Sequence, residues 1–307
     1  MVIIIDGNQL ACRCYFSLVT GKGRSAEPLM TSKGKRTETI YSVLISIRKI
    51  IRDYSDPDST IFLTWDGGND RRKAIFPEYK AERKKFEDAF YEQLDELRNI
   101  LSLFGVKQYH FDAVEADDLI GTLALKSRKK GKKVLIISAD HDFEQLISRH
   151  VEVLHPLSNN PYIKNIQFVL EKHGIMPDRL PEAMAITGDP TDNIPGIEGV
   201  GEKTAAKLVL ANGSLTYILE NPDNLKMLNR KGESVDAKDD LKQKVKQNLE
   251  NIKIAYKLVK ICTDLDVEPD FSKQQADVDA ARKKFEELEF EQFLNEFDRW
   301  KTTFRCR

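Results

Sequence analysis

The chain has 307 residues, enough for about two domains of ordinary size and a sizeable core. With 41% hydrophobic and 32% charged residues it is neither disordered nor collagenous, and 48 Lys and Arg against 49 Asp and Glu give a net charge of -1, which alone speaks against a sequence-independent nucleic-acid binder. No run approaches the ~20 apolar residues of a membrane span, no basic leader precedes Val2, and four scattered cysteines form neither a disulfide framework nor a zinc motif, so a cytoplasmic protein is expected.

Short aliphatic runs at 2–5, 60–64, 134–138 and 151–154 alternate with longer helical patterns. That alternation predicts an α/β fold with a mostly parallel central sheet flanked by helices. The first three runs lead into acids: Asp6, Asp66, and Asp140 with Asp142. Ligand sites of open parallel sheets lie beyond the carboxyl ends of the strands, so these acids are expected to converge. Residues 39–54 carry Ile40, Val43, Leu44, Ile47, Ile50 and Ile51 at the spacing of a helix packed on a core.

Residues 71–85 hold seven basic and two acidic side chains around Pro77, with Phe76 and Tyr79 interleaved. This composition predicts a projecting basic arch at about 71–95 that meets the nucleic-acid backbone through Arg71, Arg72, Lys73 and Lys84. Lys80 and Arg83, one helical turn apart, would grip a scissile phosphate, and Tyr79 would stack on an unpaired base. A helix over 114–126 would put Glu115, Asp117 and Asp118 in its first turn, where the dipole favours anions, with Glu115 and Asp118 on one face and Asp117 bridging two cations. The six basic residues of 126–133 read as a solvated helix end.

Strand signals fade after about residue 172, which divides the chain into an α/β unit, 1–172, and a helical unit, 173–307. In the second unit Gly199 and Gly201 free a turn, and the helix opening at Glu202 aims its N–H groups at a phosphate, with Lys203 and Lys207 adding charge. Residues 226–240 read as a polar loop and 280–300 as one amphipathic helix.

Nine acids in five short motifs therefore stand out: Asp6, Asp66, Glu115, Asp117, Asp118, Asp140, Asp142, Asp189 and Asp192. Any one of them is more simply a cap or a turn former, but five motifs at strand ends and helix starts of one α/β unit are not. Converging carboxylates repel one another unless cations neutralise them, and an all-oxygen set suits Mg²⁺ or Mn²⁺. Two such ions about 3.5–4 Å apart activate an attacking water and stabilise the leaving oxygen of a phosphodiester. The five histidines show no pairing with a Ser or Cys nucleophile, which argues against a triad hydrolase.

Asp-Gly-Asn at 6–8, Tyr-Lys-x-x-Arg at 79–83, Val-Glu-Ala-Asp-Asp at 114–118, Ser-Ala-Asp-His-Asp at 138–142 and Gly-Asp-Pro-Thr-Asp-Asn at 188–193, followed by Gly-Val-Gly-Glu-Lys-Thr-Ala at 199–205, form an ordered set. It resembles the 5′-nuclease and flap endonuclease family, which includes the 5′→3′ exonuclease domain of bacterial DNA polymerase I and the stand-alone phage flap endonucleases. The resemblance implies a PIN/resolvase-like sheet domain and a helix-three-turn-helix at about 186–212 that binds downstream duplex, often with K⁺. It assigns Asp6, Glu115, Asp117 and Asp118 mainly to a first Mg²⁺, with Asp66 acting partly through water, and Asp140, Asp142, Asp189 and Asp192 to a second. Lys80 and Arg83 match the arch residues that steer the scissile phosphate.

The implied substrate is DNA with 5′ flaps, nicks or free 5′ ends, cut during replication or repair by a free-standing, monomeric nuclease of a bacterial or phage-infected cell. Its replication partners are open. Removal of RNA primers from RNA–DNA hybrids is an alternative. A non-catalytic, structure-selective DNA-binding protein is another, against which the intact acids speak. His141 stands where relatives usually carry Lys, leaving the role of that side chain open. Setting the nine acids aside leaves 40 of the 49 acidic residues against 48 basic ones, so the near-neutral total reads as an acidic pocket beside a basic track.

Overall fold

The first strand, Val2–Asp6 (β1), is buried along its whole length, and its alternating side chains feed two cores: Ile3 and Ile5 on one side, Val2 and Ile4 on the other. In this computed structural model, which describes residues 1–19, 29–156 and 160–306, Thr60–Thr64 (β2), Lys107–Tyr109 (β3), Val134–Ile137 (β4), Val151–His155 (β5) and Tyr162–Lys164 (β6) complete the sheet around β1. The order is β3-β2-β1-β4-β5-β6, parallel throughout except for β6 at the edge. The sequence signalled four of these strands. β3 and β6 are three residues each at opposite edges, too short to show an alternation.

Gly7–Val19 (α1), Glu38–Tyr54 (α2), Asp70–Lys73 (α3), Asp88–Leu103 (α4) and Ala116–Lys129 (α5) connect the first strands. Ile166–His173 (α6), Leu180–Thr187 (α7), Glu202–Asn212 (α8), Leu215–Glu220 (α9), Asp239–Gln247 (α10) and Leu249–Val259 (α11) follow the sheet. Side chains of α5, α7, α8 and α11 join the core on the Val2 and Ile4 side, while α1, α2 and α4 cover the Ile3 and Ile5 side.

Three expectations are corrected. Residues 226–240 are not simply a loop, because Lys226–Leu228 (β7) and Ser234–Asp236 (β8) pair antiparallel as a hairpin. The single helix over 280–300 is three: Val278–Glu287 (α12), Glu291–Asn295 (α13) and Phe297–Phe304 (α14), with Glu289 in the left-handed region at φ 58 between the first two. The bends let Phe285, Phe293 and Trp300 all bury, with Phe293 and Trp300 centroids 4.5 Å apart. These last helices do not extend a separate helical unit over 173–307; they return to the Ile3 and Ile5 face beside α2 and α4. Among the described residues no helix is long and apolar enough to cross a membrane.

Candidate metal centre

Asp6 ends β1 in register with Thr64 of β2, and Ile5 pairs with Ile137 of β4, so the acids after these three strands emerge at one edge of the sheet. Asp6 is buried, accepting from Gln9 N and Ser138 Oγ, both at 3.0 Å. Burial, reinforced by the charges of Asp66 and Asp140, pushes its carboxyl up to about 7 despite the two donors. Asp66 is anchored from both sides: its N–H donates to Asn8 Oδ1 at 3.0 Å, and its Oδ1 accepts from Ala116 N at 2.7 Å, at the start of α5. Asp140 accepts from Asp142 N at 2.9 Å, and Ser138 Oγ accepts from Asp140 N at 3.1 Å. Ser138 thus ties two of the acids together. The sequence reading missed it, although a small hydroxyl residue between a strand and an Asp was the available signal.

Two carboxylates lack protein donors. Among the described residues Asp117 makes no side-chain hydrogen bond or ion pair, and desolvation in the cleft raises its carboxyl well above the usual range; Lys80 opposes that shift, while Asp140, Asp6 and Asp66 add to it. Asp142 Oδ1 is buried with no hydrogen-bond partner, and burial, with Asp140, Asp189 and Asp192, pushes that carboxyl up to about 7. Ligand atoms of Asp142, Asp189 and Asp192 lie within 4.8 Å of one another, as do those of Asp140, His141 and Asp142. Desolvated acids that repel one another and lack donors are the chemistry of a hard divalent cation site, and these residues fit one. His141 is exposed, with Nδ1 3.8 Å from Asp140 and Nε2 3.5 Å from Asp142.

Glu115 and Asp118 are differently placed from the sequence reading. Glu115 is the N-cap residue of α5, and α5 itself begins at Ala116. Asp118 is committed to Arg72, with Oδ2 accepting from Nη1 at 2.9 Å and Oδ1 from Nη2 at 2.8 Å, and Oδ1 also accepts from Cys262 N at 2.9 Å. It does not join the cation cluster. Glu115 bonds Arg72 Nη1 as well, and its other oxygen accepts from Lys80 Nζ at 2.5 Å.

The basic segment does not project as a helical arch. Within the segment only Asp70–Lys73 is helical before α4; turns at 77–82 and irregular chain at 83–87 follow, with Lys80 at φ 55, so Lys80 and Arg83 share no helix face. The segment is strapped down over the acids. Lys80 N donates to Asp192 O at 3.0 Å and Asn193 Nδ2 to Glu78 O at 2.9 Å. Lys80 Nζ lies 3.6 Å from Asp192 Oδ2, and Arg83 Nη2 pairs with Asp192 Oδ1. Burial works against the Lys80 charge, yet Glu115, Tyr79, Asp117 and Asp192 together raise its pKa above the ordinary lysine value.

Two predicted DNA contacts are interior. Arg72 is buried, with Nε donating to Leu258 O at 2.9 Å, and cannot face a duplex. Tyr79 is 3% exposed, its hydroxyl 3.2 Å from Glu115 Oε1 and 3.3 Å from Asp192 Oδ2, so it cannot stack on a base. Arg71, Lys73 and Lys84 are exposed, and Arg83 is half-exposed.

The loop carrying Asp189 and Asp192 is closed by a backbone crossing the sequence reading overlooked. A Cβ on Gly196 would stand 1.8 Å from Thr187 O, so only glycine lets the Ile-Pro-Gly segment pass there. Beyond it Gly199 takes φ 76, Gly201 and Lys203 are exposed at the start of α8, and Lys207 is exposed in the middle of that helix. Folding adds a cation that spacing could not reveal: Lys244 Nζ of α10 lies 3.7 Å from where a Gly199 Cβ would be.

Family models match nearly the whole chain: the 5'-3' exonuclease N-terminal resolvase-like domain over residues 1–174 and the 5'-3' exonuclease C-terminal SAM fold over 175–283. A 5'-3' exonuclease of Aquifex aeolicus is 33% identical over 299 residues, covering 96% of this chain and 94% of that protein. The thermostable DNA polymerase I of Thermus thermophilus is 34% identical over 298 residues, covering 96% of this chain but 33% of the polymerase, so the chain spans about a third of such relatives. A bacteriophage T5 flap endonuclease in a complex with DNA and metal ions superimposes with a TM-score of 0.63 at 20% identity over 98% of each chain, and shares the fold. The chain belongs to the 5'-3' exonuclease family, with its resolvase-like sheet domain followed by its helical SAM fold.

Proposed function

We propose that the chain is a divalent-metal-dependent phosphodiesterase that acts on DNA at 5′ ends, as a 5′→3′ exonuclease and a 5′-flap endonuclease. One observation carries the reading: Asp142, from the turn after β4, and Asp189 with Asp192, from the loop after α7, bring their ligand atoms within 4.8 Å of one another, while Lys80 and Arg83 lie against Asp192.

Asp6, Asp66, Glu115 and Asp117 would hold one Mg²⁺ and Asp140, Asp142, Asp189 and Asp192 a second, with Mn²⁺ able to replace either. Bound there, such ions make an attacking water acidic and stabilise the departing oxygen. The protein's own side chains do the rest. Lys80 and Arg83 pair with Glu115 and Asp192, and a phosphate entering the cleft competes for the same two cations, which then offset its developing charge. Arg72 keeps Glu115 and Asp118 in place from behind. Arg71, Lys73 and Lys84 approach the strand entering the cleft, and Gly199, Gly201, Lys203 and Lys207, within a helix-three-turn-helix at about 186–212, hold the duplex arm with K⁺ at the turn. The nuclease unit would comprise residues 1–172, completed by Asp189 and Asp192 from the loop that follows and backed by the last helices, and the chain would act as a monomer.

Labelled 5′-flap, nicked, RNA–DNA hybrid and single-stranded substrates, compared in Mg²⁺ and in chelator, test this. Cleavage of flap and nick in Mg²⁺ alone is expected. Preference for the hybrid would favour primer removal, and cleavage unaffected by chelator would overturn the reading.

A further inference from the structure

Five ionisable side chains lie outside the acidic cleft and serve none of the roles above. Glu144, fully buried in the 3-10 turn Asp142–Leu146, accepts from Lys164 Nζ of β6 at 2.7 Å. It also accepts from Lys172 Nζ at 3.1 Å through each oxygen and from His173 Nε2 at 2.6 Å, both at the end of α6. A buried carboxylate with three donors is a rigid hub, and the two lysines keep its charge compensated when the histidine is absent. His173 turns its other nitrogen outward, where Nδ1 lies 3.3 Å from Oε2 of Glu202, the first residue of α8. Glu144 is two residues beyond Asp142. Glu202 opens the helix that follows the Gly199–Gly201 turn. Between the 3-10 turn and α8 is a cavity of about 160 Å³, bordered by Glu144, His173, Leu180, Asp189, Glu202 and Ala206. Phe143 of the turn and Ala206 of α8 share the core with Leu180 and Ala183 of α7, and across the cavity itself His173 is the polar link between the two elements.

We propose that His173 is a positioning residue that couples the grip of α8 on a duplex arm to the placement of Asp142, and so favours cleavage of substrates that carry a duplex. The proposal rests on the phosphodiesterase reading above. Duplex phosphates fix the start of α8; Glu202 and His173 pass that position to Glu144, and the turn holding Glu144 carries Asp142. A strand without a duplex leaves α8 unengaged and gains nothing from the link.

The test compares His173→Ala, Glu202→Gln and the double variant on a 5′-flapped duplex and on a single strand of the same sequence in Mg²⁺. Each single change is expected to lower kcat on the flap about five- to tenfold with KM nearly unchanged, and the double variant to be no worse than either. Single-strand cleavage stays at the wild-type rate. Equal losses on both substrates, additive losses, or none would overturn the coupling. A second readout is independent of cleavage: amide exchange of residues 142–146 in chelator, with and without the flapped duplex. The duplex should slow exchange in the wild type and not in His173→Ala; slowing in both, or in neither, overturns the proposal. Slowing confined to the wild type in a protein that cuts no substrate would sink the phosphodiesterase reading and leave the coupling standing.

Discussion

Arg72 grips Asp118 with both ends of its guanidinium, Nη1 to Oδ2 at 2.9 Å and Nη2 to Oδ1 at 2.8 Å, inside the protein and behind the acidic cleft. A cation from the start of the basic segment is thus the pin that fastens that segment to the first turn of α5. Removing one partner of a buried pair leaves the other charge desolvated, so Arg72→Ala should destabilise the fold by about 3–5 kcal/mol. The exposed neighbour Arg71→Ala should stay within about 0.5 kcal/mol of wild type. Urea unfolding checks both, and unchanged stability of Arg72→Ala would put that side chain back on the surface.

The raised carboxyls make a stability prediction with a definite sign. Asp6 and Asp142 move from an ordinary 3.8 to about 7. Between those values the unfolded chain has released protons that the folded chain keeps, so in chelator stability falls as pH rises from about 4 to about 7 and then levels. Mg²⁺ should therefore raise Tm more at about pH 8 than at about pH 5. A cation effect independent of pH would count against a site built from these two acids.

Glu144 titrates in the opposite sense. Its lysine and histidine donors overcome the cost of burial and hold its carboxyl at about 2 against an ordinary 4.5. The stabilisation is complete above 4.5 and disappears as pH falls from there to about 2. Glu144→Gln should cost roughly 3 kcal/mol near neutral pH, and the difference from wild type should shrink on acidification across that window. A constant difference in acid unfolding would contradict the assignment.

The turn before α8 predicts a salt effect. Lys203→Ala, Lys207→Ala and Lys244→Ala should each weaken duplex binding whatever its sequence, and each should reduce the slope of log affinity against log salt by about one. Titrations of labelled duplex at several salt concentrations measure this. A slope that none of the three changes would remove the turn from the duplex interface.

Much of this was legible in residue order. Aliphatic runs ending in Asp6, Asp66 and Asp140 announced a parallel sheet with acids at one edge, because strand direction and ligand position are linked by topology. What residue order could not carry was which acid finds a cation of the chain itself. Asp117 and Asp118 are adjacent, yet one has no donor and the other has three. That difference depends on Arg72 folding back across 46 residues. Tyr79 was misread for the same reason: a charged, proline-broken stretch looks solvated until the turns at Lys80 press it onto Glu115 and Asp192. The C-terminal aromatics read as one helix because their spacing is helical, while the bend at Glu289 that spreads them over the sheet has no local signature.

The most direct measurement of the central claim is cleavage of a 5′-labelled flap by wild type and by Asp142→Asn, with binding of the same substrate followed in parallel. Wild type should release the flap in Mg²⁺ and stop when chelator is added. Asp142→Asn should bind comparably and cut at least about 100-fold more slowly, the scale expected when electrostatic stabilisation of a phosphodiester transition state is removed. Cleavage by Asp142→Asn at the wild-type rate, or by wild type in chelator, would contradict the account.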